Sequence, residues 1–251
     1  MEVVPGVHVV PGIPWSRVYL IEDEPLVLVD TGPPWSASRV VSYIRSIGRK
    51  PDDLGLVLMT HSHPDHASSA LPLIKRTGAR VVAHPGDTRT HSRGEVRLRR
   101  HGPFSRLRES LPFFNGTPVS QTVEDGQRLP IRDGVKVVHS PGHTPGSTCY
   151  LLEAPGLLFT GDTIFSDGQN VSRSVPFPGY DGQDYRKSLN RIAALEFDVL
   201  CGGHGAPLIG GASDKVRALI ASEPEPPTWR QLFTRMPRRV FRSKVIPGSS
   251  R

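Results

Sequence analysis

The sequence predicts a mixed α/β fold, and two features of its apolar residues lead to that prediction. Short apolar runs of strand length recur along the 251 residues, most of them rich in Val, Ile and Leu and bounded by Gly, Pro, Asp or Asn. Longer segments with helical spacing lie between some of these runs. A chain of this length can bury a sizeable core, so one large domain is expected.

The predicted strands are runs in which branched apolar residues are flanked by turn-forming residues. They cover residues 7–10, 18–21, 26–29, 56–59, 81–83, 135–138, 149–152, 157–159 and 199–200. The predicted helices, in which apolar residues recur every three to four positions, cover residues 36–47, 67–77, 183–195 and 214–222. Ser36 is expected to cap the first helix, and Gly78 is expected to end the second.

Arginine is concentrated in one internal segment. Residues 88–109 hold seven arginines and two glutamates, and residues 88–114 carry little strand signal. We expect a helical excursion or lid there, between the two halves of the core. The local positive charge is compatible with an anionic partner and also with a solvated helix face, which is the favoured interpretation.

The net charge of +7 lies at the C-terminal end of the chain. Residues 227–251 hold seven basic residues and no acidic one, so the charges of the preceding residues cancel. The stretch Glu-Pro-Glu-Pro-Pro at 223–227 is expected to form a stiff linker. We therefore expect one domain over residues 1–222 and a linker with a basic segment over residues 223–251. Docking of this segment on the domain or a homodimer contact is favoured over contact with nucleic acid.

Cysteine content and hydropathy bear on the compartment. Cys149 and Cys201 are too few for a disulfide framework, which favours reducing conditions. The first ten residues lack the basic and apolar regions of a signal peptide, and no run approaches the roughly 20 apolar residues that span a bilayer. We expect a soluble cytoplasmic protein without a membrane partner.

The most informative segment is His-Ser-His-Pro-Asp-His at residues 61–66. Three imidazoles and a carboxylate follow directly after an apolar strand, and shuffling this composition would produce the pattern roughly once in a thousand trials. Imidazole and carboxylate are the usual protein ligands of zinc and iron. A metal site is therefore favoured over a solvated histidine cluster.

Other acidic and imidazole side chains follow the ends of separate predicted strands. Asp30, His143, Asp162 and His204 each lie shortly after a strand and beside small residues. Loops at the carboxyl ends of strands meet at one edge of an α/β sheet. These four residues and the segment 61–66 are therefore expected to meet there.

The chain resembles the metallo-β-lactamase superfamily, in its glyoxalase II-like and lactonase-like branch. The resemblance covers roughly residues 1–215 and rests on five motifs in order, which are VDTG at 29–32, HSHPDH at 61–66, SPGHTPGS at 140–147, TGDT at 160–163 and GGHG at 202–205. It implies an αββα sandwich, in which helices flank two mixed β-sheets and the metals lie at one edge. The domain over residues 1–222 would then be a hydrolase domain.

The resemblance also implies two divalent metal ions and their ligands. The first ion is assigned to His61, His63 and His143, the second to Asp65, His66 and His204, and Asp162 would bridge both. Asp30 would support the site without touching an ion. Zinc is the first expectation, and iron or manganese are alternatives because the nitrogen and oxygen ligands suit all three. His84, Tyr180 and Tyr185 are candidate pocket residues, with ordinary packing favoured for each.

The implied activity is metal-dependent hydrolysis of a small molecule. Hydroxide held by the two ions would cleave a small carboxyl ester, thioester or lactone, with Asp65 and Asp162 as the catalytic carboxylates. The stretch GDTIFSDGQNVSRS at 161–174 lacks the G-C-G-R-like segment typical of glyoxalase II, which argues against glutathione-linked substrates. The alternative is a phosphodiesterase, phosphotriesterase or nuclease with the same two-metal site. A non-catalytic metal-binding protein is a third interpretation.

Overall fold

The computed structural model describes residues 1–90, 94–99, 116–177 and 179–222. Its strands are, in chain order, β1 (Glu2–Val4), β2 (Val7–Val9), β3 (Tyr19–Ile21), β4 (Leu26–Val29), β5 (Leu54–Leu58), β6 (Arg80–Ala83), β7 (Thr88–Thr90), β8 (Val96–Leu98), β9 (Gln121–Thr122), β10 (Arg128–Leu129), β11 (Val135–His139), β12 (Thr148–Leu152), β13 (Leu157–Gly161), β14 (Ile164–Asp167), β15 (Val171–Arg173), β16 (Val199–Gly202), β17 (Gly205–Ala206) and β18 (Leu208–Ile209). Its α-helices are α1 (Ser36–Ser46), α2 (Pro64–Ala67), α3 (Ala70–Thr77), α4 (Gly182–Ala193) and α5 (Ala212–Ala221).

Two mixed sheets form the centre of the fold. The first has the order β1-β2-β3-β4-β5-β6-β9, and the second has the order β10-β11-β12-β13-β16-β18. In the first sheet β4, β5 and β6 run parallel, and in the second β13 and β16 run parallel. The carboxyl ends of parallel neighbours lie at the same edge of a sheet. The loops after β4, β5 and β6 are therefore close to one another, as are those after β13 and β16.

The two sheets pack face to face through an apolar core, and helices cover their outer faces. Tyr19 of β3 meets Phe159 of β13 edge to face, with ring centroids 5.3 Å apart. Helices α1 and α3 pack on the first sheet, for example through Ile44, and α4 and α5 pack on the second, for example through Ile192. Two further small sheets, β15-β14-β17 and β7-β8, complete the described part. The αββα sandwich implied by the sequence resemblance is confirmed.

The predicted strands and helices are all present, with ends shifted by a few residues. Gly78 ends α3 in the left-handed conformation, at φ 73°, as expected. The cap predicted for α1 is wrong, because the residue before the helix is Trp35 and Ser36 is already its first helical residue. Asp181 caps α4 by accepting hydrogen bonds from the main-chain N–H groups of Gln183 and Asp184.

The helix expected in the Arg-rich segment is wrong for the residues that the structure describes. Strands β7 and β8 form an antiparallel hairpin there, with Thr88 opposite Leu98 and Arg89 opposite Arg97. Thr88 and Leu98, which lie opposite each other in the hairpin, are both buried, whereas Arg89 is exposed. Residues 91–93 and 100–115 lie outside the described residues, as do residues 223–251. The division into a domain over 1–222 and a separate C-terminal segment therefore stays a prediction.

None of the helices in the described part of the chain has the length and apolar character required to cross a membrane.

Candidate metal centre

The candidate metal centre lies where loops from both sheets meet. Strand β4 runs into Asp30, and β5 runs through Thr60 into His61. In the second sheet, Asp162 follows β13 directly and His204 follows β16 after one glycine. The loop between β11 and β12 carries His143. The structure thus brings together all seven residues that the sequence resemblance assigned to metals; their roles as ligands stay predictions.

The first ligand set consists of His61, His63, His143 and Asp162, all of them buried. Nε2 of His143 lies 2.9 Å from Nδ1 of His63 and 3.5 Å from Oδ2 of Asp162. Nε2 of His61 lies 3.9 Å from the same carboxylate oxygen. Ligand atoms about 2.1 Å from a tetrahedral zinc ion are about 3.4 Å from one another. The four side chains therefore have spacings close to those of a tetrahedral site.

The second ligand set shares Asp162 with the first. Oδ2 of Asp65 lies 3.5 Å from Nε2 of His66 and 3.4 Å from Nε2 of His204. Asp162 Oδ1 lies 3.2 Å from His66 Nε2, and its Oδ2 lies 3.2 Å from His204 Nε2. Because the two oxygens of Asp162 face both sets, this carboxylate is placed to bridge two cations and to offset the repulsion between them.

Several polar atoms of the centre are buried without a hydrogen bond to any residue that the structure describes. They are His61 Nε2, His66 Nε2 and Asp162 Oδ1. Burying a polar atom without a partner costs about 1–3 kcal/mol, more for a charged group, so such atoms are rare in folded proteins. Two divalent cations would satisfy all three atoms. The residues present therefore fit the metals.

The protonation behaviour of the centre follows from burial and from its crowded charges. Burial lowers the pKa of His61 well below its usual value, and so keeps its nitrogen available to a cation. Burial also acts on His66, but the carboxylates of Asp162 and Asp30 outweigh it and raise the pKa of His66 well above its usual value. Without a cation His66 is therefore protonated. Metal binding there must displace that proton.

Asp162 has the opposite shift. Burial would raise its pKa, but the adjacent imidazoles of His204 and His66 outweigh burial and hold the pKa of Asp162 well below the usual range. The carboxylate is therefore ionised at neutral pH, which is the form that a metal ion requires.

Asp30 orients two imidazoles at once. Nδ1 of His66 donates to Asp30 Oδ2 over 2.8 Å, which leaves Nε2 to face the centre. The hydroxyl of Thr60 donates to the same oxygen over 2.7 Å and lies 3.0 Å from Nδ1 of His61. Asp30 adopts the left-handed conformation at φ 59°, a strained backbone that such sites tolerate. These contacts match the supporting role that the resemblance implies for Asp30.

Two other imidazoles are oriented by groups that the sequence did not reveal. Nδ1 of His204 donates to the main-chain carbonyl of Trp15 over 2.7 Å. Nδ1 of His143 lies 2.8 Å from the hydroxyl of the buried residue Ser174. A carbonyl has no sequence signature, and Ser174 lies 31 positions from His143. Nothing in the sequence could have linked either pair.

Glycine at position 203 allows the second-sheet loop to reach the centre. A Cβ atom there would lie 2.3 Å from Asp162 Oδ1 and 2.8 Å from His66 Cε1. Both distances are far below van der Waals contact, so only glycine fits between the two ligands. The GGHG motif therefore requires glycine at position 203 for steric reasons, in addition to supplying the histidine.

The three predicted pocket residues are engaged in packing. His84 stacks on His139 with ring centroids 3.6 Å apart, and its Nδ1 accepts from the N–H of Gly86. Tyr185 is buried, and its hydroxyl donates to the carbonyl of Thr163 over 2.7 Å. Tyr180 packs beside Tyr185, with ring centroids 5.3 Å apart. These contacts agree with ordinary packing, which the sequence favoured for each.

Two phenylalanines border the centre, and neither was singled out from the sequence. The ring of Phe177 contacts that of His63, with centroids 5.0 Å apart, and its side chain stays 38% exposed. Phe165 meets His204 edge to face at 5.2 Å. The border of the centre is therefore aromatic beside both ligand sets.

A family model described as the metallo-beta-lactamase superfamily matches residues 16–204. The chain belongs to this superfamily. An N-acyl homoserine lactonase from a Bacillus species is 26% identical over 201 residues, which cover 69% of this chain and 73% of the lactonase. The thioesterase pkgB of Emericella nidulans is 26% identical over 187 residues, which cover 73% of this chain and 43% of that protein.

Among solved structures, the subclass B3 metallo-beta-lactamase BJP-1 of Bradyrhizobium japonicum is similar in both fold and sequence. Its TM-score is 0.64 and its identity 27%, with 87% of this chain and 89% of that chain covered. Membership of the metallo-beta-lactamase superfamily implies divalent metal ions, and the two His/Asp clusters could hold them. The glyoxalase II-like part of the expected branch stays a prediction.

Proposed function

We propose that the protein, a hydrolase of the metallo-beta-lactamase superfamily, cleaves a small carboxyl ester, thioester or lactone. The observation that carries the proposal is the buried carboxylate of Asp162, whose Oδ1 lies 3.2 Å from His66 Nε2 and whose Oδ2 lies 3.2 Å from His204 Nε2 and 3.5 Å from His143 Nε2 of the first ligand set. The relatives named as a lactonase and a thioesterase support a carbonyl substrate.

When bound, two divalent ions would polarise the substrate oxygen and lower the pKa of water enough to make it a nucleophile near neutral pH. The side chains of this protein would bind the two ions and orient the imidazoles that face them. Asp162 would offset part of the charge of the ions, and Asp30 with Thr60 fixes the rings of His66 and His61. Preorganised groups of this kind need no rearrangement during the reaction.

Asp65 is the candidate for proton transfer. Its Oδ2 faces His66 and His204, and its side chain is 32% exposed, in contrast to the buried Asp162. A carboxylate with one side toward the centre and the other toward solvent can accept a proton from the attacking water and return it to the leaving group. Asp65 thus has a role that the more deeply buried Asp162 cannot take.

The aromatic border favours an acyl substrate over a phosphate ester. Phe177 and Phe165 contact imidazoles of the first and second ligand sets, respectively. Phosphate recognition relies on the arginine fork and on the point charge of lysine, whereas aromatic rings contact acyl chains and exclude water. Phosphodiester, phosphotriester and RNA cleavage therefore remain the second candidate, to be separated by the substrate test.

The test uses the purified full chain, its metal content and a substrate panel. Lactones, thioesters, aryl esters, phosphotriesters and single-stranded RNA are compared with and without a chelator. We expect turnover of at least one lactone or ester, abolished by chelation, and loss of both metal and turnover in Asp162→Ala. Turnover of RNA alone, lost on removal of residues 227–251, would favour the second candidate. Full activity of metal-free Asp162→Ala would refute both.

Zinc is the metal that we propose first, with iron or manganese as alternatives. The nitrogen and oxygen donors of both ligand sets suit all three ions. Metal analysis of the protein after expression with each ion supplied in turn would decide between them. Size measurements on the same samples would test the proposed homodimer.

A further inference from the structure

Asp87 is a buried acidic residue beside the metal centre that is not a member of either ligand set. It ends the short 3-10 turn Pro85–Asp87, which follows β6, and it is 1% exposed. Strand β6 is parallel to β5, so this turn lies at the same sheet edge as the loop that holds His61 and His63.

The carboxylate of Asp87 binds two loops that come from different sheets. Its Oδ2 accepts a hydrogen bond from the main-chain N–H of Ser62 over 2.8 Å and one from the hydroxyl of Thr144 over 2.9 Å. Its Oδ1 accepts from the main-chain N–H of Gly146 over 2.8 Å. Ser62 lies between His61 and His63, and Thr144 follows His143. One carboxylate therefore joins the loops that carry the three imidazoles of the first ligand set.

The turn Pro85–Asp87 and the loop that follows His143 are in such close contact that neither has room to move relative to the other. A Cβ atom on Gly146 would lie 2.3 Å from the main-chain nitrogen of Asp87. A Cβ atom on Gly86 would lie 2.5 Å from the carbonyl oxygen of Pro145. Both distances are below any real contact between such atoms, so the carboxylate is held against the loop without a gap.

We propose that Asp87 is a positioning residue for the first metal, and that it acts through the main chain of both loops without touching the ion or the substrate. Hydrogen bonds to a carboxylate are shorter and stronger than those between neutral groups, so the bonds from Ser62, Thr144 and Gly146 to Asp87 fix both loops. The proposal rests on the proposed metal centre. It predicts that loss of the charge separates His143 from His61 and His63 and weakens metal binding.

The first test compares zinc binding by variants of the full chain that have been stripped of metal. All are made in a His204→Ala background, which removes a side chain of the second set and leaves the first set to be measured. Zinc is titrated against a chromophoric chelator. Loss of groups that orient ligands typically weakens metal affinity about 10–100-fold. We expect a loss in that range for Asp87→Asn, whose amide presents a donor to groups that already donate.

Asp53→Asn is the matched control. Asp53 also accepts a main-chain hydrogen bond, from Lys50 over 2.9 Å, but it lies in the turn before β5, at the end of the strand away from the metal centre. The zinc affinity of the Asp53→Asn variant should equal that of the His204→Ala background protein. Zinc affinity unchanged in Asp87→Asn would overturn the proposal, and so would an equal loss in Asp53→Asn.

Thr144 keeps the proposal testable if Asp87→Asn does not fold. Thr144→Val removes one donor to Asp87 and leaves the carboxylate in place, whereas Thr144→Ser keeps the hydroxyl. We expect zinc affinity to fall about tenfold in Thr144→Val, at the low end of the range for such groups, and to return to the background value in Thr144→Ser. A folded Thr144→Val protein with unchanged affinity would overturn the proposal.

The outcomes also separate this inference from the proposed metal centre. If the unaltered chain binds no zinc, iron or manganese, the metal centre itself fails. If the unaltered chain binds metal and Asp87→Asn binds it equally well, only the role of Asp87 fails.

Discussion

At the scale of single residues, the four imidazoles that point Nε2 toward the centre each have an oxygen partner at Nδ1. The partners differ in kind: Asp30 serves His66, Thr60 serves His61, Ser174 serves His143 and the carbonyl of Trp15 serves His204. Such partners set the tautomer and the ring angle of a ligand. The partners of His143 and His204 are therefore as much part of the centre as the conspicuous motifs.

Ser174→Ala tests one of these partners. The hydroxyl of Ser174 lies 2.8 Å from His143 Nδ1, so its loss should free the ring to rotate and weaken zinc binding about tenfold or more. The measurement is zinc titration of the metal-stripped protein. Ser172→Ala, at an exposed position of β15, the strand that ends just before Ser174, is the matched control and should bind zinc like the unaltered chain. Equal affinities in all three proteins would remove Ser174 from the centre.

His84 leads to a prediction about pH. Burial, and then the adjacent imidazole of His139, lower the pKa of His84 to about 4. The folded residue binds a proton only below about pH 4, whereas the unfolded residue binds one below about pH 6.5. The stability contributed by neutral His84 is thus present above about pH 6.5 and is lost as the pH falls toward 4.

His84→Asn isolates this effect, because asparagine offers an acceptor to the N–H of Gly86 without titrating. We expect the thermal midpoint of the variant to fall less steeply than that of the unaltered chain between pH 6.5 and 4. Thermal unfolding at intervals of half a pH unit gives both slopes. Two parallel slopes would show that the imidazole does not carry the effect.

At the scale of elements, the buried strands could be predicted from the sequence, whereas the short strands at the margins of the sheets could not. Strands such as β4 and β12 are buried throughout, so apolar residues run through them without interruption. Strands such as β10 and β18 are two residues long and half exposed, and so carry no pattern. The hairpin of β7 and β8 was missed because each strand is only three residues long and has a single buried residue, Thr88 in β7 and Leu98 in β8.

The turn after β16 gives a prediction at this scale. A Cβ atom on Gly203 would lie 2.3 Å from Asp162 Oδ1, so Gly203→Ala should push the bridging carboxylate or the turn out of place. We expect the bound metal to fall from two ions to one or none per chain, and the activity to fall at least about 100-fold, as when a single preorganised charge contact is lost. Metal analysis and the substrate panel measure both.

Gly182→Ala is the control for that variant. Gly182 begins α4, and among the residues that the structure describes a Cβ atom there would meet only Tyr180 Cε1, at 3.5 Å, an ordinary contact. This change should leave metal content and activity unaltered and should stabilise the protein slightly, because alanine restricts the unfolded chain. Normal metal content in Gly203→Ala would contradict the steric account of the GGHG motif.

At the scale of the whole molecule, the residues of the centre that could be predicted from the sequence lie in short motifs. The contacts that could not be predicted join residues far apart along the chain. The ligands could be assigned because HSHPDH is a compact segment and because each of the other motifs has glycine close to its acidic or histidine residue. Asp87 could not be found, because its contacts reach Ser62 and Gly146, 25 and 59 positions away. The contact of Trp15 with His204 spans 189 positions. Such pairs form only in the folded protein: Ser62 and Asp87 meet because β5 and β6 are neighbours in one sheet, and the other pairs meet where the two sheets pack together.

Removal of metal gives a prediction for the whole fold. Ions that bind only the folded state stabilise it by about 4 kcal/mol when present at about a thousand times their dissociation constant. For a chain of about 250 residues this corresponds to a thermal midpoint roughly 10 °C lower after chelation. Calorimetry with and without a chelator checks it. Asp162→Asn is the control, because a chelator should hardly change the midpoint of a protein that binds no metal.

The hydrogen bond between His204 and Trp15 also has a consequence for folding during translation. Translation delivers the side chains of the centre to the growing fold in a fixed order, and His204 emerges last. His61, His63, His143 and Asp162 are all present 42 residues before it, by the difference between positions 204 and 162. A nascent chain can therefore complete its first ligand set while still attached to the ribosome, but its second set must wait until β16, the strand that leads to His204, has been synthesised.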